Sequence, residues 1–247
     1  LHFENTQKSL YDIVIFDIEN KQIAKRIPLH KTGPNGLPAV YGSRPSPDSK
    51  QILISQNNIG RLSTINNQGE VVHNYPVKTP EGRFTTFFFC SYYNAPAFVK
   101  DSCIFLNQGI FEPNMKREDW PQTHMFASQN LETGKFEWVP IFYPPIFKEE
   151  YENIDGGYGF SYDYNYKESR LVCGFFGYDS LMVTDDLKHI RWYNAKSKYL
   201  KSMKPKLGNA MAGINSIIEF CEAPMYWHIM YDKYRDVYYR FAEMPYK

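Results

Sequence analysis

The chain has 247 residues, of which 43% are hydrophobic and 22% charged, and its net charge is +1. This profile is that of a globular protein, and the length is sufficient for one all-β domain with a full core. A net charge near zero does not indicate electrostatic binding to nucleic acid or to an anionic membrane. No apolar run reaches the ~20 residues of a membrane span.

The N-terminal segment predicts a β-hairpin preceded by one more strand. Tyr11–Asp17 and Gln22–Leu29 are apolar runs joined by a turn at Ile18–Lys21, and the run LHFEN precedes them. Apolar residues occur on both faces, as expected for a sheet that lies between neighbouring sheets. The first residue is Leu, so we expect a mature or trimmed form of the protein.

Residues 38–78 show the pattern of one antiparallel sheet most clearly. A short strand at Ala39–Ser43 is followed by a turn that contains Pro47 and Asp48, because proline fixes φ and aspartate hydrogen-bonds its own backbone. The runs Gln51–Ser55 and Arg61–Ile65 follow, and the chain then returns after an Asn-rich turn. Short strands joined by local turns predict an antiparallel meander. Ile52→Asp or Leu53→Asp is expected to unfold this sheet.

Later parts of the chain repeat this unit. Residues 84–147 contain the same pattern with insertions, since Phe84–Cys90 reads as a strand and Ala97–Leu106 as another with a turn at residues 100–102. Residues 157–195 repeat it with shorter loops, and residues 225–243 begin a further unit. The hairpin turns recur at intervals of roughly 50–60 residues, near the repeat length of propellers.

These repeats predict one domain over residues 1–247, an all-β propeller of four-stranded antiparallel blades. About four or five blades are expected in the chain, so the ring is either closed by strands from both termini or incomplete. A propeller leaves only short, protected strand edges.

The sequence also resembles a known family. The runs IVIFDIENKQIAKRIPL, GSRPSPDSKQILI and especially Tyr231–Phe241 (YDKYRDVYYRF) are similar to a Bacteroides-type family of cell-envelope lipoproteins of unknown function. The resemblance covers essentially the whole chain and implies a six-bladed TolB-like or NHL-like propeller in the cell envelope. The family's lipid-modified cysteine and further blades do not occur in this sequence. The resemblance supplies no catalytic residues.

The residues give no catalytic or cofactor motif. No serine lies in a G-x-S-x-G elbow, and the six histidines are scattered over strand ends and hairpins. None of the four cysteines forms a CxxC pair, so buried free thiols are the simpler interpretation, with a Cys90–Cys103 disulfide as the alternative. We therefore predict no catalytic residue, no metal site and no cofactor.

Three other features have a simple structural interpretation. Asp185 and Asp186 form the only adjacent aspartate pair, in a predicted turn. Residues 155–158 (DGGY) lead into a predicted strand. The two glycines would let a ligand approach the backbone, but glycine is also required where strands crowd near a propeller axis. The lysines of residues 196–206 are either an anion-binding patch or a solvated loop.

The ligand-binding hypothesis rests on five residues. Arg44 leaves a first strand at one rim of the predicted channel, and Tyr162, Asp163 and His228 are candidates for the same face, where loops of all blades converge. Trp120 lies in an insertion and has a flat face on which a sugar can stack. The predicted function is a non-catalytic envelope binding or scaffold protein with a glycan, peptide or protein ligand. The alternative is a carbohydrate-active lyase or hydrolase that uses Arg44 and His228 at the channel mouth.

Overall fold

The structure is a computed structural model and describes residues 2–6, 10–46, 50–56, 59–78, 96–107, 121–144, 160–200 and 224–244. Within these ranges the regular structure consists of 17 β-strands without an α-helix. The chain forms two compact units, which we describe one at a time.

Unit 1 contains three antiparallel sheets whose strands follow one another along the chain. The first sheet consists of β1 (His2–Thr6), β2 (Leu10–Asp17) and β3 (Gln22–His30). The second consists of β4 (Gly42–Pro45), β5 (Ile52–Gln56), β6 (Arg61–Ile65) and β7 (Val71–Pro76). The third consists of β8 (Phe98–Lys100), β9 (Cys103–Asn107), β10 (Phe126–Asn130) and β11 (Phe136–Trp138).

Unit 2 contains one complete antiparallel sheet and one hairpin. The complete sheet consists of β12 (Phe160–Asn165), β13 (Arg170–Phe175), β14 (Ser180–Thr184) and β15 (Arg191–Asn194). The hairpin consists of β16 (Met225–Asp232) and β17 (Val237–Glu243). Three sheets thus have four strands in chain order, which is the blade of a propeller. The predicted fold class, all-β with four-stranded antiparallel blades, is confirmed.

The third sheet differs from its prediction in one respect. Residues 97–106, taken as one strand with a turn, are two strands, because Asp101 and Ser102 have φ of +48° and +59° and close a tight two-residue turn between Lys100 and Cys103. Positive φ at both central residues is the signature of the turns that match strand twist. Within the described residues this sheet consists of the four strands β8–β11. The predicted strand Phe84–Cys90 lies outside the described residues.

Asparagine and aspartate side chains build the hairpin turns. Asn66 Oδ1 accepts hydrogen bonds from the backbone N–H groups of residues 68 and 70, and Asn130 Oδ1 accepts from residues 132 and 133. Asn165, Asp186 and Asp232 do the same in unit 2. These Asx turns hold the backbone locally, so each hairpin turn is fixed by a residue that the sequence already marks.

Strand β5 of the second sheet is buried on both faces. Ile52 and Ile54 of β5 contribute to one hydrophobic cluster with Ile13 and Leu29 of the first sheet. Leu53, between them in sequence, belongs to a different cluster that includes residues of the third sheet. Because successive side chains of a strand point to opposite faces, this sheet lies between two others, as the sequence predicts for such strands.

Candidate functional site

The five residues proposed from sequence to bind a ligand lie in different parts of the described chain. Arg44 belongs to unit 1, where it lies within β4 opposite Leu53 and not beyond the end of a strand as predicted. The strand extends to Pro45, past Arg44, because residues 42–45 pair with residues 52–55. Tyr162, Asp163 and His228 belong to unit 2. Trp120 lies outside the described residues.

Tyr162 is part of the core of unit 2. Its side chain is 1% exposed. Its ring makes an edge contact at 5.0 Å with Phe126, the one residue of β10 that belongs to unit 2, and a stacked contact at 5.7 Å with Phe160. Such aromatic pairs stabilise a core beyond the area that they bury. A ring so completely enclosed has almost no surface to offer to a ligand.

Asp163 points to the opposite face of β12 and holds the backbone of the hairpin. Its Oδ2 accepts a hydrogen bond from Tyr231 N at 2.9 Å, and its Oδ1 accepts one from Tyr164 N. Ser161 acts similarly, since its Oγ donates to Trp227 O and accepts from Ile229 N. A β-bulge between residues 226 and 229 interrupts the β16–β17 ladder, so these side chains satisfy backbone groups near the bulge. Asp163 thus has a structural role.

His228 lies in the bulge itself. Its ring is 5.6 Å from the ring of Trp227 and 6.3 Å from that of Phe241. Burial disfavours the charged imidazolium and lowers the pKa of His228 below its usual value of 6.5. The ring is therefore neutral at pH 7.

This lowered pKa predicts a dependence of stability on pH. The unfolded chain binds a proton at His228 more readily than the folded chain, so stability is present above pH 6.5 and is lost as the pH falls through the folded pKa. We therefore expect the free energy of unfolding to be lower at pH 5.5 than at pH 7.5. Urea unfolding at pH 7.5 and at pH 5.5 measures the free energy of unfolding. The variant His228→Gln should show a smaller difference in this free energy between the two pH values. If the variant shows the same pH dependence of stability as the native chain, titratable groups other than His228 cause that dependence.

The described cysteines are free thiols without the environment of a nucleophile. Cys103 accepts a hydrogen bond from Asn130 Nδ2 at 3.8 Å and is a free thiol in the structure. Cys90, its partner in the disulfide alternative, lies outside the described residues. Cys173 is fully buried, and burial raises the pKa of both thiols. A raised pKa keeps sulfur in the unreactive thiol form.

A labelling experiment tests this interpretation. We expect native protein treated with a thiol reagent at pH 8 to leave Cys173 unlabelled for hours, and denatured protein to be labelled at once. Mass spectrometry of the peptide that contains Cys173 reads out the modification. Rapid labelling of Cys173 in the native state would show an accessible thiol and contradict the burial.

Three hairpin turns of unit 2 form a continuous polar surface. Residues 166–169 join β12 to β13, residues 185–190 join β14 to β15, and residues 233–236 join β16 to β17. Arg170 Nε donates to Asp185 at 2.8 Å and links the first two turns, and Lys167 pairs with Asp236 at 3.4 Å and links the first to the third. We call these three segments the turn surface. Ion pairs hold its parts together, although each exposed pair contributes little to stability.

Two tyrosines project from the turn surface. Tyr166 is 51% exposed and makes an edge contact with the buried Tyr164 at 5.0 Å. Tyr234 is 87% exposed, and Lys233 Nζ lies 5.1 Å from the centroid of its ring. Exposed aromatic rings with a polar tip are the side chains that protein and sugar ligands most often contact.

Four aspartates on or directly beside the turn surface are held in the ionised form. Hydrogen bonding to Arg170 lowers the pKa of Asp185, and backbone and side-chain hydrogen bonds from His189 lower that of Asp186. Pairing with Arg235 lowers the pKa of Asp232, and the hydroxyl of Tyr231 lowers that of Asp236. Acid–base catalysis requires the opposite, a carboxyl whose pKa is raised toward neutrality. The turn surface therefore offers fixed charges and hydrogen-bond acceptors.

Sequence reasoning found some of these residues and missed others. It placed Asp185 and Asp186 in a turn, as observed, but assigned no role to Tyr166 or Tyr234. The available signal was their position beside Asn165 and Asp232, the residues that build the turns. In the basic loop, the described lysines are Lys196 and Lys198, and the remainder of that loop lies outside the described residues.

The described residues contain neither a cluster of metal ligands nor a membrane-spanning helix. No group of three or more His, Cys, Asp or Glu residues in the described ranges is arranged to hold a metal ion. Where the structure describes the chain, no helix has the length and apolar character required to cross a membrane.

The solved structures that resemble this chain include a highly similar relative. A crystal structure of a DUF4221 family member from Bacteroides vulgatus ATCC 8482 is 82% identical, with a TM-score of 0.89; the match covers 100% of this chain and 68% of that chain. The chain thus spans about two thirds of that relative's length.

Other likenesses are much weaker. A virginiamycin B lyase from Staphylococcus aureus is 10% identical with a TM-score of 0.40, over 97% of this chain and 60% of the other. The Cps50 (Swd1) β-propeller domain of Myceliophteria thermophila is 12% identical with a TM-score of 0.39, over 79% and 55%. TM-scores below 0.5 are too low to support a conclusion about this chain.

No curated protein matches the chain. A family model described as a domain of unknown function, DUF4221, matches residues 1–247, the whole sequence. Both this match and the 82% identity to a solved member lead to the same assignment. The chain belongs to the DUF4221 family.

Proposed function

We propose that this chain is a non-catalytic binding or scaffold protein of the cell envelope, and that it holds its ligand on the turn surface of unit 2. The observation that carries this proposal is the pair of exposed tyrosines, Tyr166 and Tyr234, on turns fixed by Asx hydrogen bonds and ion pairs. A surface that is rigid before binding loses little conformational entropy when a ligand arrives.

Binding is favoured over catalysis by the state of the ionisable groups. Asp185, Asp186 and Asp236 of the turn surface have lowered pKa values, and the described thiols have raised ones. Asp163 accepts hydrogen bonds from two backbone N–H groups, which gives it a structural role. No observation in the described residues favours the lyase or hydrolase alternative built on Arg44 and His228.

The cell-envelope location and the class of ligand belong to the proposal as well. The location is supported by the family resemblance of the runs quoted above. A lipid anchor is the proposed means of membrane attachment. A glycan, a peptide or a partner protein fits a surface that combines exposed tyrosine rings with fixed charges of both signs. The proposal involves no cofactor and no nucleic acid.

Glycan arrays and peptide libraries probed with the purified chain test the proposal. We expect hits whose affinity falls at least 10-fold, about 1.4 kcal/mol, in the double variant Tyr166→Ala/Tyr234→Ala. Tyr199→Ala is the matched control, because Tyr199 is also exposed and also has a lysine over its ring, Lys198, but lies outside the turn surface.

Two outcomes would contradict the proposal. A hit that binds the double variant as tightly as the native chain would place the ligand elsewhere. An absence of hits across both libraries, with protein shown to be folded by circular dichroism, would count against a binding function.

A further inference from the structure

The charged groups of the turn surface are not evenly paired. Two of its cations, Lys188 and Lys233, are exposed and form no ion pair with any residue that the structure describes. Its carboxylates, in contrast, all have basic partners: Glu168 and Asp185 contact Arg170, Asp186 contacts His189, and Asp236 contacts Lys167. The charge that remains available to a ligand is therefore positive.

Backbone donors of the three turns are already hydrogen-bonded. Asn165, Asp186 and Asp232 each accept hydrogen bonds from two backbone N–H groups of the turn that they build. A peptide that binds as an added strand needs free backbone groups at its docking site. Recognition at the turn surface therefore depends on side chains, and this favours a sugar over an extended peptide.

An exposed aromatic ring lies beside one of the two unpaired cations. Lys233 Nζ is 5.1 Å from the centroid of the Tyr234 ring. The apolar face of a sugar can stack on such a ring, and an acid group on the same sugar would then be within reach of the flexible lysine side chain. Tyr166 supplies a second exposed ring on the turn that the Lys167–Asp236 ion pair links to this one.

We propose that the ligand of the turn surface is an acidic glycan, whose carboxylate or sulfate groups pair with Lys188 and Lys233 while its sugar rings stack on Tyr166 and Tyr234. This inference rests on the proposed function and narrows its ligand to one chemical class. Each exposed ion pair contributes little alone, so the two lysines and the two rings act together. Because salt screens exposed charges, binding weakens as the ionic strength rises.

Titration calorimetry with defined oligosaccharides tests this inference. The probes are hexagalacturonate, its fully methyl-esterified form, a sulfated galactan hexasaccharide and the neutral sugar maltohexaose. We expect at least one of the two acidic probes to bind about 10-fold more tightly than the methyl ester and maltohexaose at low salt. Comparison of the carboxylated with the sulfated probe then shows which acid group the lysines prefer.

Lysine variants assign the charge contacts. We expect Lys188→Gln/Lys233→Gln to weaken binding of the acidic probe about 10-fold and to reduce its salt dependence, and Lys188→Arg/Lys233→Arg to retain most of the affinity because it keeps both charges. The matched control is Lys196→Gln/Lys198→Gln, which removes two exposed lysines outside the turn surface, one of them also over a tyrosine ring. It should leave the affinity unchanged.

Three results would overturn the inference: no binding of either acidic probe, equal binding of hexagalacturonate and its methyl ester with no binding of the sulfated probe, or full affinity in Lys188→Gln/Lys233→Gln. If a neutral glycan or a library peptide still requires Tyr166 and Tyr234, the proposed function stands and only the acidic class is wrong. Hexaglutamate that binds as tightly as the acidic sugars, through the same lysines, would identify an acidic peptide as the ligand and would also overturn the inference.

Discussion

Replacing Ile52 by aspartate is expected to unfold unit 1, with a loss of more than about 4 kcal/mol in the free energy of unfolding. Ile52 is 4% exposed and lies in a cluster with Ile13, Ile27 and Leu37. A carboxylate there would be desolvated among aliphatic side chains. Ile52 is a sharper test than Leu53, because Leu53 lies directly opposite Arg44, whose guanidinium could pair with an introduced aspartate.

The control for this experiment is Val72→Asp. Val72 lies on β7 of the same sheet and is 40% exposed, so its replacement should change stability by less than about 0.5 kcal/mol. Urea unfolding followed by circular dichroism measures both variants. A soluble Ile52→Asp protein with native stability would show that β5 is not a buried strand and would refute the sheet packing described here.

Replacing Arg240 by alanine is expected to destabilise unit 2 by about 3 kcal/mol, since hydrogen bonds from a charged donor are worth about 1.5–3 kcal/mol each and are not additive. Arg240 donates to the carbonyl oxygens of Phe175, Tyr178, Asp179 and Ala195. Its guanidinium stacks on the ring of Tyr226 at 3.3 Å from the centroid. Burial lowers the pKa of Arg240 to about 10, which leaves it charged at neutral pH.

Arg235→Ala is the matched control on the same hairpin. Arg235 pairs with Asp232 at the surface, and exposed pairs contribute about 0–1 kcal/mol. Arg240→Lys should recover little of the loss, because an ammonium group cannot reproduce the planar fork of donors that meets four carbonyls. Equal urea midpoints for Arg240→Ala and Arg235→Ala would contradict the structural role of Arg240.

The strands and turns of this protein could be predicted because their signals are local. The continuous apolar run Ile52–Ile54 indicates a strand that is buried on both faces. Asn66 and Asn130 mark turns because their side chains bond the backbone within four residues. The turn at residues 100–102 was predicted, but not that it joins two paired strands, because neither Asp101 nor Ser102 is a glycine that would indicate positive φ.

The candidate site could not be predicted in the same way. Tyr162 and Asp163 are neighbours in sequence, but strand geometry sends one into the core and the other to the backbone of β16. The role of Arg240 depends on carbonyl groups 45 to 65 residues away. Such contacts are set by how sheets pack, and a single sequence carries no direct signal for them.

The most direct test of the central claim, that the turn surface binds the ligand, is a hydrogen-exchange footprint with the tightest-binding probe from the glycan array or peptide library. We predict slower exchange on binding at residues 166–169, 185–190 and 233–236, with no change at residues 195–200 around the control Tyr199. Protection confined to β4 around Arg44, with the three turns unchanged, would contradict the claim.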